Sequence, residues 1–200
     1  MCQNDRYETR PYAVGEFLDG KFVICGGVYK HDCEVIDEFE SQSFNLSTEG
    51  RAYAAHIKLN SSKMWITGGL DSNWNFLKTT SIVSTNVSVE DVDLPFYALG
   101  HCMIEYATNK VLLIGGMQDG IQNSDRTWMI DLTKRSEVVE GPYLKQGRQG
   151  HVCCTIEDQD GHAIVVVTGG EEIDTTEFLN ASLLTEWIYG NNDIFLHKCI

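Results

Sequence analysis

The feature that most constrains this chain is a pair of adjacent glycines that recurs four times, each time directly after a strand-like apolar run. The run VLLI, for example, ends at Gly115 and Gly116, although glycine is poorly suited to a strand interior. The first glycines stand at positions 26, 68, 115 and 169, so the intervals are 42, 47 and 54 residues and constitute a repeat. The eight repeat glycines are Gly26, Gly27, Gly68, Gly69, Gly115, Gly116, Gly169 and Gly170.

Each glycine doublet lies inside a unit that has the sequence features of four short strands. The apolar strand before the doublet follows turn residues, such as LDGK at 18–21, and another strand precedes that turn. This first strand is predicted to begin at His56, His101 and His151 in three units and at Ala13 in the other. Polar loops follow the doublets and lead to third strands, which are predicted at 33–39, 79–85, 126–132 and 175–180.

A unit of four strands cannot bury both of its faces alone, so neighbouring units must pack against it. Four-stranded units of roughly 40 to 50 residues in series are typical of the blades of a β-propeller. We therefore predict an all-β chain in which the glycines allow backbones to approach closely near the propeller axis. The predicted blades cover residues 12–48, 52–94, 97–142 and 147–190.

This pattern resembles that of the kelch repeat family over residues 12 to about 190. The four doublets carry the resemblance, together with LDGKFVICGG before the first doublet and GRQGH before the fourth. Trp187 stands at the family's fourth-strand tryptophan, which is Phe44 and Val138 in two other units. The family's arginine before the histidine is clear only at Arg148.

The resemblance implies a kelch-type β-propeller. Such propellers usually have six or seven blades, and only four are visible in this sequence. We therefore expect a partial propeller, which further blades of the same polypeptide or another copy of the chain would complete.

The charge balance limits the kinds of partner. The chain has 15 Lys and Arg against 29 Asp and Glu, which gives a net charge of −14. This excess argues against nucleic acid, because binding to a phosphate backbone needs cations. Solubility is the ordinary explanation of the charge, and a surface for a basic partner is the sharper one. No run approaches the ~18 apolar residues of a membrane span.

Seven cysteines are present, without a C-x-x-C pair that would indicate zinc. Four of them lie in strand-like segments, where a free cysteine usually acts as a small apolar residue: Cys25, Cys102, Cys153 and Cys154. Disulfides are an alternative that we consider for some of the others, which are Cys2, Cys33 and Cys199.

The three histidines are predicted to occupy one equivalent position on the innermost strands. Three such side chains around an axis could hold a metal ion. The simpler interpretation is that each histidine bonds the backbone or a neighbouring blade as part of the repeat. We therefore predict no metal site and no cofactor.

The loops after the doublets are expected to share the propeller face that usually carries recognition. Trp74 is the most informative residue, since an aromatic residue among Asn and Asp in a loop is a plausible binding anchor. Alternatively, Trp74 and Phe76 pack against their own blade. Acidic residues at 171–174 suit a basic partner or a plain solvated loop. The candidate binding residues are Trp74, Asp71, Asp119 and Arg148.

Four N-x-S/T sequons fall at or near predicted turns, with their asparagines at Asn45, Asn60, Asn86 and Asn180. They indicate a glycoprotein that passes through the secretory route, although chance matches are the alternative. An extracellular or secretory location is therefore favoured over a cytoplasmic one.

The sequence contains no nucleophile elbow and no phosphate-binding loop, and nothing marks a pair of carboxylates for acid–base work. We therefore expect a non-catalytic interaction platform that binds a protein partner through the loops on one propeller face. The resemblance supports this expectation, because kelch proteins commonly serve as such platforms. The alternative is the propeller domain of an enzyme of oxidase or sugar-converting type, with His101, His151 and Arg148 at the channel mouth.

Overall fold

The structure, a computed structural model, describes residues 9–38 and 40–190. These residues form eighteen strands and no helix, so the prediction of an all-β chain is confirmed. No helix that could cross a membrane is therefore present in the described part of the chain.

Sixteen strands form four antiparallel sheets, and in each sheet the order of the strands follows their order along the chain. Sheet I contains β1 (Val14–Leu18), β2 (Lys21–Cys25), β3 (Asp32–Ile36) and β4 (Ser41–Asn45). Sheet II contains β5 (Ala55–Asn60), β6 (Lys63–Thr67), β7 (Thr80–Val83) and β8 (Ser88–Asp91).

Sheets III and IV follow the same plan. Between sheets II and III, β9 (Ala98–Leu99) pairs with β12 (Met117–Gln118) as a two-stranded ribbon. Sheet III contains β10 (Cys102–Ala107), β11 (Lys110–Ile114), β13 (Thr127–Asp131) and β14 (Val138–Glu140). Sheet IV contains β15 (Val152–Glu157), β16 (Ala163–Thr168), β17 (Thr176–Asn180) and β18 (Ile188–Tyr189).

Three apolar cores lie between successive sheets, and they explain why the second strands are continuously apolar. In β6, Met64 and Ile66 belong to the core with sheet I, whereas Trp65 belongs to the core with sheet III. In β11, Leu113 packs toward sheet II and Leu112 packs toward sheet IV. A strand that is covered on both faces has no polar side, so alternation disappears from its sequence.

A ladder of backbone hydrogen bonds joins the segments that lead into the four first strands. The N–H of Tyr53 donates to the carbonyl of Tyr12 (3.1 Å), Gly100 to Tyr53 (2.9 Å) and Gly150 to Gly100 (2.8 Å). All four residues have positive φ, between 57° and 63°. The first strands of successive sheets are also in contact with one another. The sheets therefore meet along the edges formed by their first strands.

The glycine doublets are the points at which each sheet receives the segment that opens the next one. All eight glycines have positive φ, as close backbone approach in this conformation requires. In three sheets the second glycine donates its N–H to that segment, from Gly27 to Arg51, from Gly69 to Ala98 and from Gly116 to Arg148, at 2.7 to 2.8 Å.

A side-chain donor bridges two backbone carbonyls at every doublet. The carbonyls belong to the first glycine and to the residue that begins the third strand or directly precedes it. In sheet II, Arg51 donates to Gly68 (3.2 Å) and Thr79 (2.8 Å), and in sheet IV Arg148 donates to Gly169 (2.8 Å) and Thr175 (2.9 Å). We call this arrangement the carbonyl bridge.

The carbonyl bridge also exists in sheets I and III, although only Arg148 was singled out from the sequence. Arg10 donates to Gly26 and Asp32, both at 3.3 Å. In sheet III the donor is the side-chain amide of Gln118, which reaches Gly115 at 2.7 Å. Arg148 thus has structural counterparts in Arg51 and Arg10, and Gln118 takes the same role in sheet III.

The histidines do not share one position, contrary to the prediction. His101 and His151 each precede the first residue of their strand, whereas His56 is the second residue of β5 and lies opposite Ile66. Ala54 takes the place in sheet II that the two histidines take in sheets III and IV. The prediction aligned the histidines by residue type, and the strand register separates them.

All four cysteines predicted to be free are in disulfides, so that prediction is wrong. Cys25 and Cys33 face each other across β2 and β3, and their sulfur atoms are bonded. The bond between Cys102 and Cys153 joins the first strands of sheets III and IV. Cys154 is also disulfide-bonded. The two remaining cysteines lie outside the described residues, namely Cys2 and Cys199.

The crowding at the doublets predicts a difference between two glycines of similar φ. A Cβ atom at Gly115 would lie 2.6 Å from the carbonyl oxygen of Arg148 and 2.9 Å from the His151 ring, whereas Gly120 has no described atom within 4 Å. We expect Gly115→Ala to lower the free energy of unfolding by about 3 kcal/mol and Gly120→Ala by about 1 kcal/mol. Urea unfolding of both variants tests this, and equal losses would contradict the close approach.

The inter-sheet disulfide gives a second prediction. Cys102 and Cys153 are 51 residues apart, whereas Cys25 and Cys33 are 8 apart. The stabilisation by a disulfide grows with the length of the loop that it closes. Replacing Cys102 and Cys153 by alanine should therefore lower the free energy of unfolding by about 4 kcal/mol, and replacing Cys25 and Cys33 should lower it by about 2.5 kcal/mol. Chemical denaturation without reductant measures both. A larger loss for the short-range pair would show that loop closure does not dominate.

Candidate functional site

Hydrogen bonds among its own residues fix the loop between β6 and β7. The carboxylate of Asp71 accepts the backbone N–H groups of Asn73 and Asn75, each at 2.8 Å, and the side-chain amide of Asn75. Burial opposes ionisation, but these hydrogen bonds together hold the pKa of Asp71 below its usual value. The backbone of Trp74 donates to the Asp71 carbonyl at 3.1 Å. The loop is therefore a closed turn with Trp74 at its tip.

Trp74 has an unusual backbone conformation for so large a residue. Its φ is +65°, in the left-handed region that favours glycine and asparagine. Its side chain is nevertheless 56% exposed, so little burial compensates for this conformation. A bulky residue that is held in such a conformation without a packing reason is a candidate for a functional role.

A second segment reaches the same surface from the connection between sheets II and III. The N–H of Tyr97 donates to Oδ1 of Asp119 at 3.0 Å, and the N–H of Asp119 donates to the Tyr97 carbonyl at 3.2 Å. The neighbouring β9–β12 ribbon fixes both segments. Phe96 is buried and stacks on Trp128, with ring centroids 4.5 Å apart, whereas the adjacent Tyr97 is exposed.

The loop that carries Trp74 and the segments that carry Tyr97 and Asp119 together form a shallow groove on the surface. The rings of Trp74, Phe76 and Tyr97 are 56%, 37% and 45% exposed. An exposed aromatic cluster of this kind, with a carboxylate beside it, is typical of a binding surface. We call it the aromatic groove, and it is lined by Trp74, Asn75, Phe76, Tyr97, Asp119 and Gly120.

The structure places the four predicted binding residues in three different settings. Trp74 and Asp119 meet in the aromatic groove. Asp71 lies beneath it and closes the loop that carries Trp74. Arg148 is fully buried, where it forms the carbonyl bridge and an ion pair with Glu177 at 2.8 Å, so its prediction as a surface binding residue is wrong.

Sequence reasoning missed Tyr97 in the groove and Gln118 in the carbonyl bridge. The signal for Tyr97 was only its position beside a second aromatic residue, Phe96, in the connection between sheets II and III. Phe96 is buried and Tyr97 is exposed, a difference that the sequence alone does not show. Gln118 carries no comparable signal, because it lies after the doublet and the bridging arginines lie before the first strand.

His101 and His151 are buried where successive sheets meet, so they do not form an accessible site at a channel mouth. Nε2 of His101 lies 2.9 Å from the Thr67 hydroxyl of the preceding sheet. Burial, reinforced by His151, lowers the pKa of His101 to about 3. Burial and the nearby Arg148 lower the pKa of His151 to about 4. Both side chains are therefore neutral packing groups near neutral pH.

One group of possible metal ligands occurs among the described residues, at the turn between β15 and β16. It consists of Asp158, Asp160 and His162, which are all exposed. Asp158 already accepts backbone N–H groups from the other two and faces the His162 ring at 3.1 Å. These contacts close the turn, which accounts for the grouping without an ion.

The sequon asparagines lie at strand ends and turns. Asn45, Asn60 and Asn86 are exposed, and Asn180 is half-buried. The side-chain oxygens of Asn60 and Asn180 accept backbone N–H groups within their turns. Three of the four positions are therefore open enough for a glycan in the folded chain.

Comparison with known protein families and with curated proteins finds no match to this sequence. The functional conclusion therefore rests on the chain's own repeat and on the geometry of the aromatic groove.

The buried histidines give a prediction for pH. Below about pH 6.5 they bind protons in the unfolded chain but not in the folded chain, so the unfolded state binds more protons. The stability that their neutral forms provide is complete above pH 6.5 and falls as the pH decreases toward 4. Each histidine should contribute roughly 1.4 kcal/mol per pH unit in this range.

Variants separate this effect from that of the carboxylates. His101→Gln keeps a hydrogen-bonding partner for Thr67 and should reduce the slope of unfolding free energy between pH 6.5 and 5. His162→Gln makes the same chemical change at an exposed histidine and serves as the control for the substitution itself. Identical slopes for wild type and His101→Gln, measured by denaturant titration, would show that His101 does not titrate as a buried base.

Proposed function

We propose that this chain is a non-catalytic protein-interaction platform of the kelch-propeller type. Its four sheets would be consecutive blades, and a protein partner would bind at the aromatic groove. The repeated carbonyl bridge supports the blade interpretation, as does the backbone ladder that joins the first strands. Four units with the same internal bonds, stacked through three cores, are the arrangement that a propeller requires.

The conformation of Trp74 carries the functional part of the proposal. A tryptophan that packed against its own blade would be buried, and that burial would offset the cost of its positive φ. Trp74 is instead exposed at the tip of a turn that Asp71 closes, beside two further exposed rings. Rigid aromatic side chains on pre-formed loops lose little conformational entropy on binding, which makes them effective anchors for a protein partner.

The proposed compartment is extracellular or secretory. The disulfides of Cys25 with Cys33 and of Cys102 with Cys153 form and persist in oxidising compartments. Exposed sequon asparagines, such as Asn45 and Asn86, suit the same route. The partner is therefore sought among secreted and cell-surface proteins.

Replacing Trp74 distinguishes an anchor from a packing residue. Asparagine tolerates positive φ, so Trp74→Asn should leave the free energy of unfolding unchanged or raise it by up to about 1 kcal/mol. The same variant should lose partner binding by at least about tenfold, since an aromatic anchor is removed. A loss of stability above about 1 kcal/mol would instead identify Trp74 as a packing residue.

The binding measurement uses immobilised wild type, Trp74→Asn and Tyr189→Asn in parallel. Tyr189 is 53% exposed in β18 and serves as the matched aromatic control. Proteins retained from a secreted fraction are identified by mass spectrometry, and the purified partner is then titrated by calorimetry. If all three immobilised proteins retain the same partner equally well, the interaction lies elsewhere on the chain. That result would refute the aromatic groove as the binding surface.

A further inference from the structure

The aromatic groove combines flat apolar rings with a fixed carboxylate. Oδ1 of Asp119 accepts the Tyr97 N–H at 3.0 Å, so the carboxylate is fixed to the segment that carries the Tyr97 ring. Asp119 forms no ion pair within the described residues, and the lining of the groove contains no Lys or Arg. A negative charge therefore faces the groove without a cation to neutralise it.

We propose that the aromatic groove receives an arginine side chain from a basic segment of the protein partner. This inference rests on the proposed function and specifies its ligand chemistry. The guanidinium would stack on the exposed rings, principally that of Trp74, and pair with the carboxylate of Asp119.

The chemistry of the groove favours arginine over lysine. A guanidinium is planar and weakly hydrated, so it stacks on an aromatic face and bonds a carboxylate through two parallel N–H groups. An ammonium group is compact and strongly hydrated, so it gains less from the same rings. Trp74 presents the best aromatic surface for a cation, and Asp119 supplies the acceptor in the same groove.

The charge of the whole chain favours a cationic ligand over a neutral sugar. Aromatic rings beside a carboxylate also suit carbohydrate, so local chemistry alone leaves both classes open. The net charge of −14 attracts a basic segment over a distance and raises its rate of association, whereas a neutral glycan gains nothing from it. A basic peptide is therefore the ligand that both the groove and the surrounding charge favour.

The geometry of the groove is largely set before binding. Asp71 closes the loop of Trp74, the β9–β12 ribbon fixes the segment of Tyr97, and Leu77 anchors both through its backbone. The N–H of Leu77 donates to Gly69 at 2.9 Å, and its carbonyl accepts the N–H of Ala98 at 3.2 Å. Little ordering of the protein is required when a side chain enters, so even a single cation can bind measurably.

The test uses a fluorescein-labelled peptide, Gly-Arg-Gly-Gly-Arg-Gly, with lysine and citrulline counterparts of the same length. Citrulline keeps the shape of arginine but has no charge. Fluorescence anisotropy should show the arginine peptide binding at least about tenfold more tightly than the citrulline peptide and about threefold more tightly than the lysine peptide. Raising the salt concentration from about 50 to 300 mM should weaken the binding of the arginine peptide severalfold.

Two variants locate the binding. Trp74→Asn and Asp119→Asn should each lower the affinity for the arginine peptide by at least about fivefold. Asn at position 119 can still accept the Tyr97 N–H, so the loop is retained. Tyr189→Asn and Asp160→Asn remove an exposed ring and an exposed carboxylate elsewhere and should bind like wild type.

Several outcomes would overturn the inference. Equal affinity for the arginine and citrulline peptides would exclude recognition of the charge, and wild-type affinity in Trp74→Asn would exclude the groove. Binding of a neutral glycan that depends on Trp74, without peptide binding, would assign the groove to carbohydrate. A protein partner that needs Trp74 but is not displaced by the arginine peptide would refute the arginine inference and leave the platform function intact.

Discussion

The rest of the structure depends on how each sheet satisfies two backbone carbonyls at the end of its second strand. An unpaired buried carbonyl is costly, and these lie where the second and third strands separate into a loop. A guanidinium in three sheets and an amide in the fourth join them. The N–H of the first glycine of the doublet closes the same turn. The N–H of the second glycine therefore remains free to bind the segment that opens the next sheet. One small cluster thus determines both the shape of a sheet and its attachment to the following one.

The all-β class and the four-stranded units were predictable, because glycine doublets and turn residues are local signals with a direct conformational meaning. What the sequence could not supply was register. His56 stands near the start of a first strand, as His101 does, yet it lies one residue inside β5. Disulfide pairing was equally hidden, since Cys25 and Cys33 meet across a strand pair and Cys102 and Cys153 meet across two sheets. Spacing along the chain does not encode either relationship.

The candidate site was predictable only in part, for a physical reason that Trp74 and Arg148 illustrate. An exposed aromatic residue in a polar loop is unusual, so Trp74 could be selected from sequence. A charged residue is usually exposed, and that general rule fails for Arg148, whose guanidinium is saturated by carbonyls and by Glu177. Tyr97 and Asp119 meet through two-residue strands, which are too short to leave a periodic pattern. Contacts between distant loops are decided by packing rather than by local sequence.

The agreement between strand order and chain order bears on how this molecule is made. Each strand pairs mainly with a neighbour in sequence, and each core is shared by two consecutive sheets. A growing polypeptide can therefore complete one sheet while the next is still being synthesised, and the finished sheet offers an apolar template and an open glycine N–H to the segment that follows. Folding of this kind proceeds by local addition, with little loop-closure entropy at each step. The bond between Cys102 and Cys153 then ties two successive additions together, since it joins the first strand of sheet III to that of sheet IV.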